Sequence, residues 1–102
     1  MSQLAEESFY ERHADLCHSF SNANRLKILD LLRDGRERTV SDITDTSDIP
    51  QPTVSQHLKV LRDQDVVTRR RDGVEAYYSL TDNRFFEAID VMREMTVERV
   101  EQ

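Results

Sequence analysis

The chain has 102 residues, a formal net charge of −6, 37% hydrophobic residues and one cysteine, Cys17. This length predicts a single small domain, while the composition excludes an intrachain disulfide framework and a membrane-spanning helix, which needs about 20 consecutive apolar residues. The polar, acidic first residues predict that there is no signal peptide, and the lone cysteine favours a reducing, cytoplasmic setting.

The negative charge is unevenly distributed along the chain. Residues 51–80 carry five basic and four acidic residues, whereas the segments on either side are both acidic. A net negative charge argues against nucleic-acid binding, but a segment that is not negative permits it. The basic residues are 12 arginines and 2 lysines, and this acidic, lysine-poor composition also fits a high-salt cytoplasm.

Hydrophobic periodicity predicts two helices in the first third of the chain. The first is amphipathic and covers residues 4–20. Its apolar face consists of Phe9, His13, Leu16 and Phe20. The second covers residues 22–34, begins with Ser21 or Asn22 as its N-cap, and has Gly35 where a C-terminal cap belongs. Because this second helix is apolar on nearly all sides, we expect it to be the central one.

A helix-turn-helix is predicted next. A short helix over residues 39–46 is followed by the turn-forming sequence SDIPQP and by a longer helix over about 52–64. Pro50 and Pro52 suit the start of the longer helix, where the amide hydrogens that proline lacks are not needed. The inward-facing residues of the two helices are Val40, Ile43, Val54, Leu58 and Leu61.

Residues 66–70 and 75–80 have the composition of strands, and Asp72-Gly73 between them is a hairpin signal. A last helix covers residues 82–100. Its apolar stripe consists of Phe85, Ile89, Met92 and Thr96, flanked by Phe86 and Val100. The predicted fold is therefore mainly α with a two-stranded β-hairpin wing, a winged helix-turn-helix in the order α1-α2-α3-α4-β1-β2-α5 within one domain, 1–102. A chain of this size cannot easily bury the stripes of both outer helices, 4–20 and 82–100, so we expect them to form a homodimer interface.

The outward face of the predicted helix 52–64 is polar, and no acid occurs between residues 51 and 62. Amide, hydroxyl and ammonium groups suit the edges of bases in the major groove, and a helix N-terminus favours phosphate. The residues of this helix predicted to contact DNA are Gln51, Thr53, Ser55, Gln56, His57, Lys59 and Arg62. A solvated surface helix is the alternative for the face as a whole, and packing within the domain is the stronger alternative for His57.

Three consecutive arginines, Arg69, Arg70 and Arg71, lie in the predicted wing, residues 68–76. Successive residues of a strand point to opposite sides, so Arg69 and Arg71 share a face. Such side chains can lie along a DNA backbone or enter a minor groove. The alternative is a charged edge that prevents aggregation. We predict phosphate contact for these arginines because they are the densest positive charge of an acidic chain.

With these elements in place, the sequence resembles the ArsR/SmtB-type winged-helix transcriptional regulators. The resemblance covers most of residues 22–82, in the segments NANRLKILDLL, TVSDI and QPTVSQHLKVLRDQDVVTRRRDGVEAYYSLTD. It implies a homodimeric repressor that binds an imperfect inverted repeat in double-stranded DNA, with an effector that changes DNA affinity. Where the family usually has glycine before the first strand, this chain has Asp65, which tolerates the left-handed conformation expected there.

The metal-binding positions of the family are changed in this chain. Many relatives bind metal through cysteines that flank the valine of the TVSDI segment, and Thr39 and Ser41 occupy those positions here. A second family site starts with an Asp-x-His pattern, which reads Asp82-Asn83-Arg84 with no histidine after it. We therefore predict no metal site and no cofactor.

The segment ERHADLCHSF leaves three interpretations of Cys17 open. It is a buried structural cysteine, or a redox switch that forms an intersubunit disulfide with help from His13 or His18, or part of an intersubunit Cys/His metal site. A regulator without any effector also fits the sequence.

An enzyme is not expected, because the sequence has no glycine-rich phosphate loop, no metalloprotease spacing and no Ser/His/Asp set with a pocket to hold it. The functional alternative is a winged-helix protein–protein interaction module without DNA binding, for which the net charge of −6 is the argument. The two differ in whether Gln56, Lys59 and the wing arginines line one surface that is free of acids.

Overall fold

The computed structural model describes residues 6–101. Its elements are α1 (Glu7–His18), α2 (Ala23–Leu32), α3 (Val40–Ser47), α4 (Gln51–Asp63), β1 (Val67–Asp72), β2 (Glu75–Leu80) and α5 (Arg84–Val100). This order confirms the predicted winged helix-turn-helix. Residues 4 and 5 of the predicted first helix lie outside the described residues. Within residues 6–101, no helix is both long and apolar enough to cross a membrane.

Helix α2 is central, as its apolar sequence predicted. Of the two candidate caps, Asn22 is the N-cap, and its side chain accepts a hydrogen bond from the Arg25 amide at 3.1 Å. Fully buried side chains from α2 form the middle of the core. The buried apolar residues are Ile28, Leu29, Leu32, Ile43, Ile49, Val54, Leu58, Leu61, Val66, Val67, Tyr78, Phe86 and Ile89. Every element except α1 therefore contributes a buried side chain to one core around α2, and Leu16 of α1 packs against this core while half-buried.

The start of α3 is fixed by a reciprocal capping box. The Thr39 hydroxyl accepts from the amide of Asp42 at 3.1 Å, and the Asp42 carboxylate accepts from the amide of Thr39 at 3.0 Å. Helix α3 ends at Asp48, which has a left-handed φ of 61°. Helix α4 begins three residues later with Pro52 in its first turn, as predicted. The two capping hydrogen bonds and the left-handed residue thus set where the first helix of the helix-turn-helix begins and ends.

The hairpin is confirmed, but its turn lies one residue later than Asp72-Gly73. Asp72 pairs with Glu75 as the last cross-strand pair, so Gly73 and Val74 form the two-residue turn. Gly73 has a φ of 62°, and a positive φ at the first central residue only is typical of a type II′ turn. The sequence signal identified the glycine but not which of its neighbours continues the ladder.

The sequence did not predict that a third segment of the chain pairs with the hairpin. Arg38 forms an isolated antiparallel bridge to Tyr78, with N-to-O distances of 2.9 and 2.8 Å in the two directions. One residue carries no period-2 pattern, so the sequence offers no signal for this bridge. It ties the segment before α3 to β2 and so joins the wing to the helix-turn-helix.

The outer helices leave apolar side chains in contact with solvent. In the described part of the chain, α1 buries none of its residues, and α5 buries only Phe86 and Ile89. Phe20, predicted on the face of the first helix, lies just beyond the end of α1, where its ring packs 5.5 Å from that of Phe85. The exposed large apolar residues of the two helices are Tyr10, Val91, Met92, Met95, Val97 and Val100.

The chain turns from α4 into β1 at Asp65, which has the predicted left-handed backbone, with a φ of 58°. We expect Asp65→Gly to leave the free energy of unfolding equal or higher. Asp65→Ala should lower it by about 1 kcal/mol, because alanine meets the left-handed penalty without a polar side chain to offset it. Urea unfolding followed by circular dichroism measures both.

The same pair of substitutions at Asp45, an exposed residue inside α3, is the control. Alanine favours a helix over glycine, so the order of stabilities should reverse there. If alanine is also the more stable substitution at residue 65, the left-handed backbone is not what limits that position.

Candidate nucleic-acid interface

Helix α4 presents its predicted contact residues on one side because its other side is fixed in the core. Val54, Leu58 and Leu61 are fully buried, which sets the rotation of the helix about its axis. The remaining positions then fall outward. Gln51, Ser55, Gln56 and Lys59 are exposed, and Thr53, His57 and Arg62 are half-buried. One accessible polar face therefore carries most of the predicted residues. We call it the α4 outer face, and it consists of Gln51, Thr53, Ser55, Gln56, Lys59 and Arg62.

Lys59 on the α4 outer face forms only a weak, exposed ion pair. Lys59 Nζ lies 3.0 Å from Asp63 Oδ2 on the next turn, and the lysine side chain remains 68% exposed. Exposed pairs at this spacing contribute only about 0.3–0.5 kcal/mol, so the ammonium group can exchange its partner for a phosphate at little cost.

His57 lies at the inner edge of α4, half-buried against α2. Its Nδ1 atom is 3.3 Å from Nη1 of Arg25. Burial, and secondly the positive charge of Arg25, lower the pKa of His57 below its ordinary value of 6.5. This position fits the packing alternative for His57 better than contact with a base.

The three wing arginines, which the sequence did not distinguish, are held differently. Arg70 makes a two-fold contact with the carboxylate of Glu37, at 2.9 Å from Nε and 3.0 Å from Nη2, and its guanidinium lies 4.7 Å from the centre of the Tyr77 ring. The hydrogen bonds from Arg70 lower the pKa of Glu37, so this pair stays ionised. Arg69 and Arg71 are exposed, and among residues 6–101 neither has an acidic partner.

The tip of the wing is acidic and apolar rather than basic. Asp72 and Glu75 lie directly opposite each other at the end of the ladder, and Val74 in the turn is 96% exposed. Two carboxylates at the tip repel phosphate, whereas Arg69 and Arg71 lie further back along β1. The positive surface of the wing is therefore its stem.

The positions that the family resemblance identified as metal sites hold structural contacts in this chain. Thr39 forms the cap of α3, as described above. Arg84 donates to Asp82 from its guanidinium and, secondly, from its backbone amide at 2.9 Å, and these bonds lower the pKa of Asp82 to about 2. Over the described range, no three His, Cys, Asp or Glu side chains are grouped so that they could hold a metal ion.

Cys17 is exposed on α1, which does not fit the interpretation of a cysteine buried within its own chain. Its Sγ atom lies 3.7 Å from His13 Nε2, one turn earlier on the same helix. His18 is directed elsewhere, with Nδ1 at 3.2 Å from the Ser21 hydroxyl. Of the two predicted histidine neighbours, only His13 therefore contacts the thiol.

Comparisons with known proteins agree with this geometry. The model of the arsR family of bacterial regulatory proteins matches residues 22–69. An HTH-type transcriptional regulator of Methanocaldococcus jannaschii is 35% identical over 86 residues, which are 84% of this chain and 97% of that protein.

Solved structures show the same fold. The transcriptional repressor PagR of Bacillus anthracis has a TM-score of 0.72 and 33% identity, covering 85% of this chain and 99% of its own. A homodimeric winged helix-turn-helix DNA-binding domain from Mycobacterium bovis has a TM-score of 0.79 and 28% identity, covering 90% and 87%. These relatives are transcriptional regulators rather than enzymes, as predicted. The chain belongs to the arsR family of bacterial regulatory proteins.

Proposed function

We propose that the protein is a homodimeric repressor that binds an inverted-repeat operator, with α4 in the major groove. The observation that carries this proposal is the α4 outer face, which is polar, free of acids from residue 51 to 62, and held in a fixed rotation by a buried stripe. The names of the relatives support it, since PagR is a repressor and the domain from M. bovis is homodimeric and DNA-binding. Such a regulator works at the chromosome, which implies a cytoplasmic location.

The α4 outer face divides into residues that read bases and residues that hold phosphate. Gln56 is exposed near the middle of the face, and its amide can pair with both the acceptor and the donor of an adenine edge. The hydroxyl groups of Thr53 and Ser55, near the helix N-terminus, suit either bases or phosphates. Lys59 and Arg62 add positive charge towards the C-terminal end of the face.

In the proposed complex the wing contacts the DNA backbone through its stem. Arg69 and Arg71 are free to meet phosphates, whereas Arg70 stays with Glu37 and braces the hairpin against the segment before α3. The acidic pair at the tip disfavours deep entry into a minor groove. In a dimer, the two α4 helices would lie roughly 34 Å apart, one turn of DNA.

The alternative is a protein–protein module that does not bind DNA. The net charge of −6 remains its argument, but the acidic residues lie mainly outside the α4 outer face. DNA affinity is set by the charges near the phosphates more than by the total, so the distribution favours DNA.

Gel shifts on DNA from the region upstream of the gene, at several salt concentrations, test the proposal. Gln56→Ala should change which sequence is preferred, because it removes a base contact. Arg69→Ala and Arg71→Ala should each weaken binding to all sequences and lower the salt slope by about one. Arg70→Ala is the matched control, and its effect on the salt slope should be smaller because Glu37 already neutralises this charge.

Two outcomes would contradict this assignment. Absence of a sequence-selective complex at every salt concentration would favour the protein–protein module. Equal effects of Arg69→Ala and Arg70→Ala would show that the ion pair with Glu37 does not persist on DNA.

We further propose that α1 and α5 form the dimer interface through their exposed apolar side chains. Patches of this kind mark association surfaces. Met92 on α5 is 64% exposed, and Met92→Glu should shift the protein towards monomer in sedimentation equilibrium. Val74→Glu is the control, because Val74 is 96% exposed but lies on the wing tip. If both variants dissociate equally, the effect comes from added charge and the interface lies elsewhere.

Regulation by oxidation of Cys17 is the second part of the proposal. The supporting observation is an exposed thiol 3.7 Å from His13 on a proposed interface helix. Two Cys17 thiols would lose two protons and two electrons to an added oxidant such as diamide, whose azo bond is reduced, and form one intersubunit disulfide. Non-reducing gels should show a covalent dimer for wild type and not for Cys17→Ser, together with altered DNA binding. Unchanged DNA binding by oxidised wild type would exclude the switch.

A further inference from the structure

The side chain of Arg25 connects three elements of the fold. It is only 8% exposed. Its Nε donates to the carbonyl of Ser19 at 3.1 Å, and its Nη2 donates to the carbonyl of His18 at 3.3 Å. Its Nη1 lies 3.3 Å from Nδ1 of His57. One guanidinium on α2 therefore contacts both the end of α1 and the DNA-facing helix α4.

The chemistry of this contact fixes the state of His57. A guanidinium has donors and no acceptor, so Nδ1 of His57 must supply a lone pair and the ring must be neutral, with its hydrogen on Nε2. Within residues 6–101, Arg25 has no carboxylate partner, so the two carbonyls and the imidazole are what satisfies its charge. Removing such a partner strongly destabilises the fold, because it leaves the buried charge uncompensated.

We propose that Arg25 is a positioning residue that holds α4 against the end of α1 through neutral His57, and that protonation of His57 releases this connection and weakens operator binding. The inference rests on the proposed DNA-binding function. His18 and Ser19 directly follow Cys17, so Arg25 joins the end of the proposed dimer helix to the inner edge of α4, the helix that carries the α4 outer face. A change at the end of α1 then reaches DNA without any metal or cofactor.

The surroundings of His57 set the direction of the pH effect. Other charged or titratable groups on the neighbouring elements are Glu7, Tyr10, Glu11, Arg12, His13, Asp15, Cys17 and His18 of α1, Lys27 and Asp30 of α2, Asp42, Asp45 and Asp48 at α3, Lys59, Arg62 and Asp63 of α4, and Arg69, Arg70, Arg71 and Asp72 of β1. None of them shifts the pKa of His57, which burial and Arg25 lower. The contribution of His57 to stability is therefore complete above its unfolded value of 6.5 and is lost as the pH falls below it.

Operator binding at about pH 7.5 and about pH 5.5, the range in which histidine titrates, tests the inference at constant salt. Wild-type affinity should fall at the lower pH by no more than about tenfold, the bound set by a histidine with the ordinary pKa of 6.5, because the pKa of His57 is lowered from that value. This sign is diagnostic, because protonating histidines near DNA otherwise strengthens binding. His57→Asn keeps an acceptor oxygen near the position of Nδ1 but does not titrate, so its affinity should not fall.

Two further variants separate positioning from general charge. His18→Asn is the matched control, because the ring of His18 contacts the Ser21 hydroxyl rather than Arg25, and the wild-type drop should persist. Arg25→Lys keeps the charge but not the planar set of donors, so it should weaken operator binding at the higher pH and not restore the wild-type profile. Unchanged or tighter wild-type binding at low pH, or a persisting drop in His57→Asn, would overturn the inference.

A readout without DNA separates this inference from the proposed function. Nitrogen-detected NMR of the free protein should show the Nε2–H tautomer of His57. During a pH titration the amide signals of α4 and of His18 and Ser19 should shift with one midpoint, and this common shift should be absent in His57→Asn. If wild type binds no DNA but shows the common midpoint, the proposed function fails while the connection stands. Independent midpoints would overturn the connection itself.

Discussion

The rotation of α4 about its own axis is the constraint on which the rest of the structure depends. Val54, Leu58 and Leu61 are buried beside Ile28 and Leu29 of α2, and each such side chain contributes about 1.5–3 kcal/mol. Because a helix is rigid, burying this stripe decides what the opposite side presents. Rotation by one residue would put an apolar side chain in solvent and a polar one in the core, so the α4 outer face is determined by packing.

The electrostatic design reconciles an acidic chain with a DNA-binding role. Many arginines are engaged within the domain: Arg33 with Asp90 and Arg93 with Asp30 connect α2 to α5, and Arg70 is held by Glu37. These exposed pairs contribute little stability individually, but they orient helix α5 and the wing. The charges left unpaired or only weakly paired, on the stem of the wing and on the α4 outer face, are the ones that we propose meet phosphates. Pairing within the domain therefore decides which charges remain available.

The end of α1 is where the structure brings together the groups that we propose respond to a signal. The residues at the two former metal positions start helices, with Thr39 capping α3 and Asp82 bonded to Arg84. What remains near the proposed interface is an exposed thiol and, directly after it, the carbonyls that Arg25 contacts. Both lie at the end of α1, none of whose described residues is buried.

The sequence by itself determined the local elements: the helix periods, a cap at Ser21 or Asn22, the left-handed turn at Asp65 and the existence of the hairpin. Each of these depends on interactions within a few residues, which spacing and residue type record. Only the tertiary structure distinguished Arg70 from Arg69 and Arg71, because Glu37 lies 33 residues away in the chain. It also placed Arg25 against His57, 32 residues away. Such pairs form when packed elements bring distant side chains together, and no local pattern encodes these contacts.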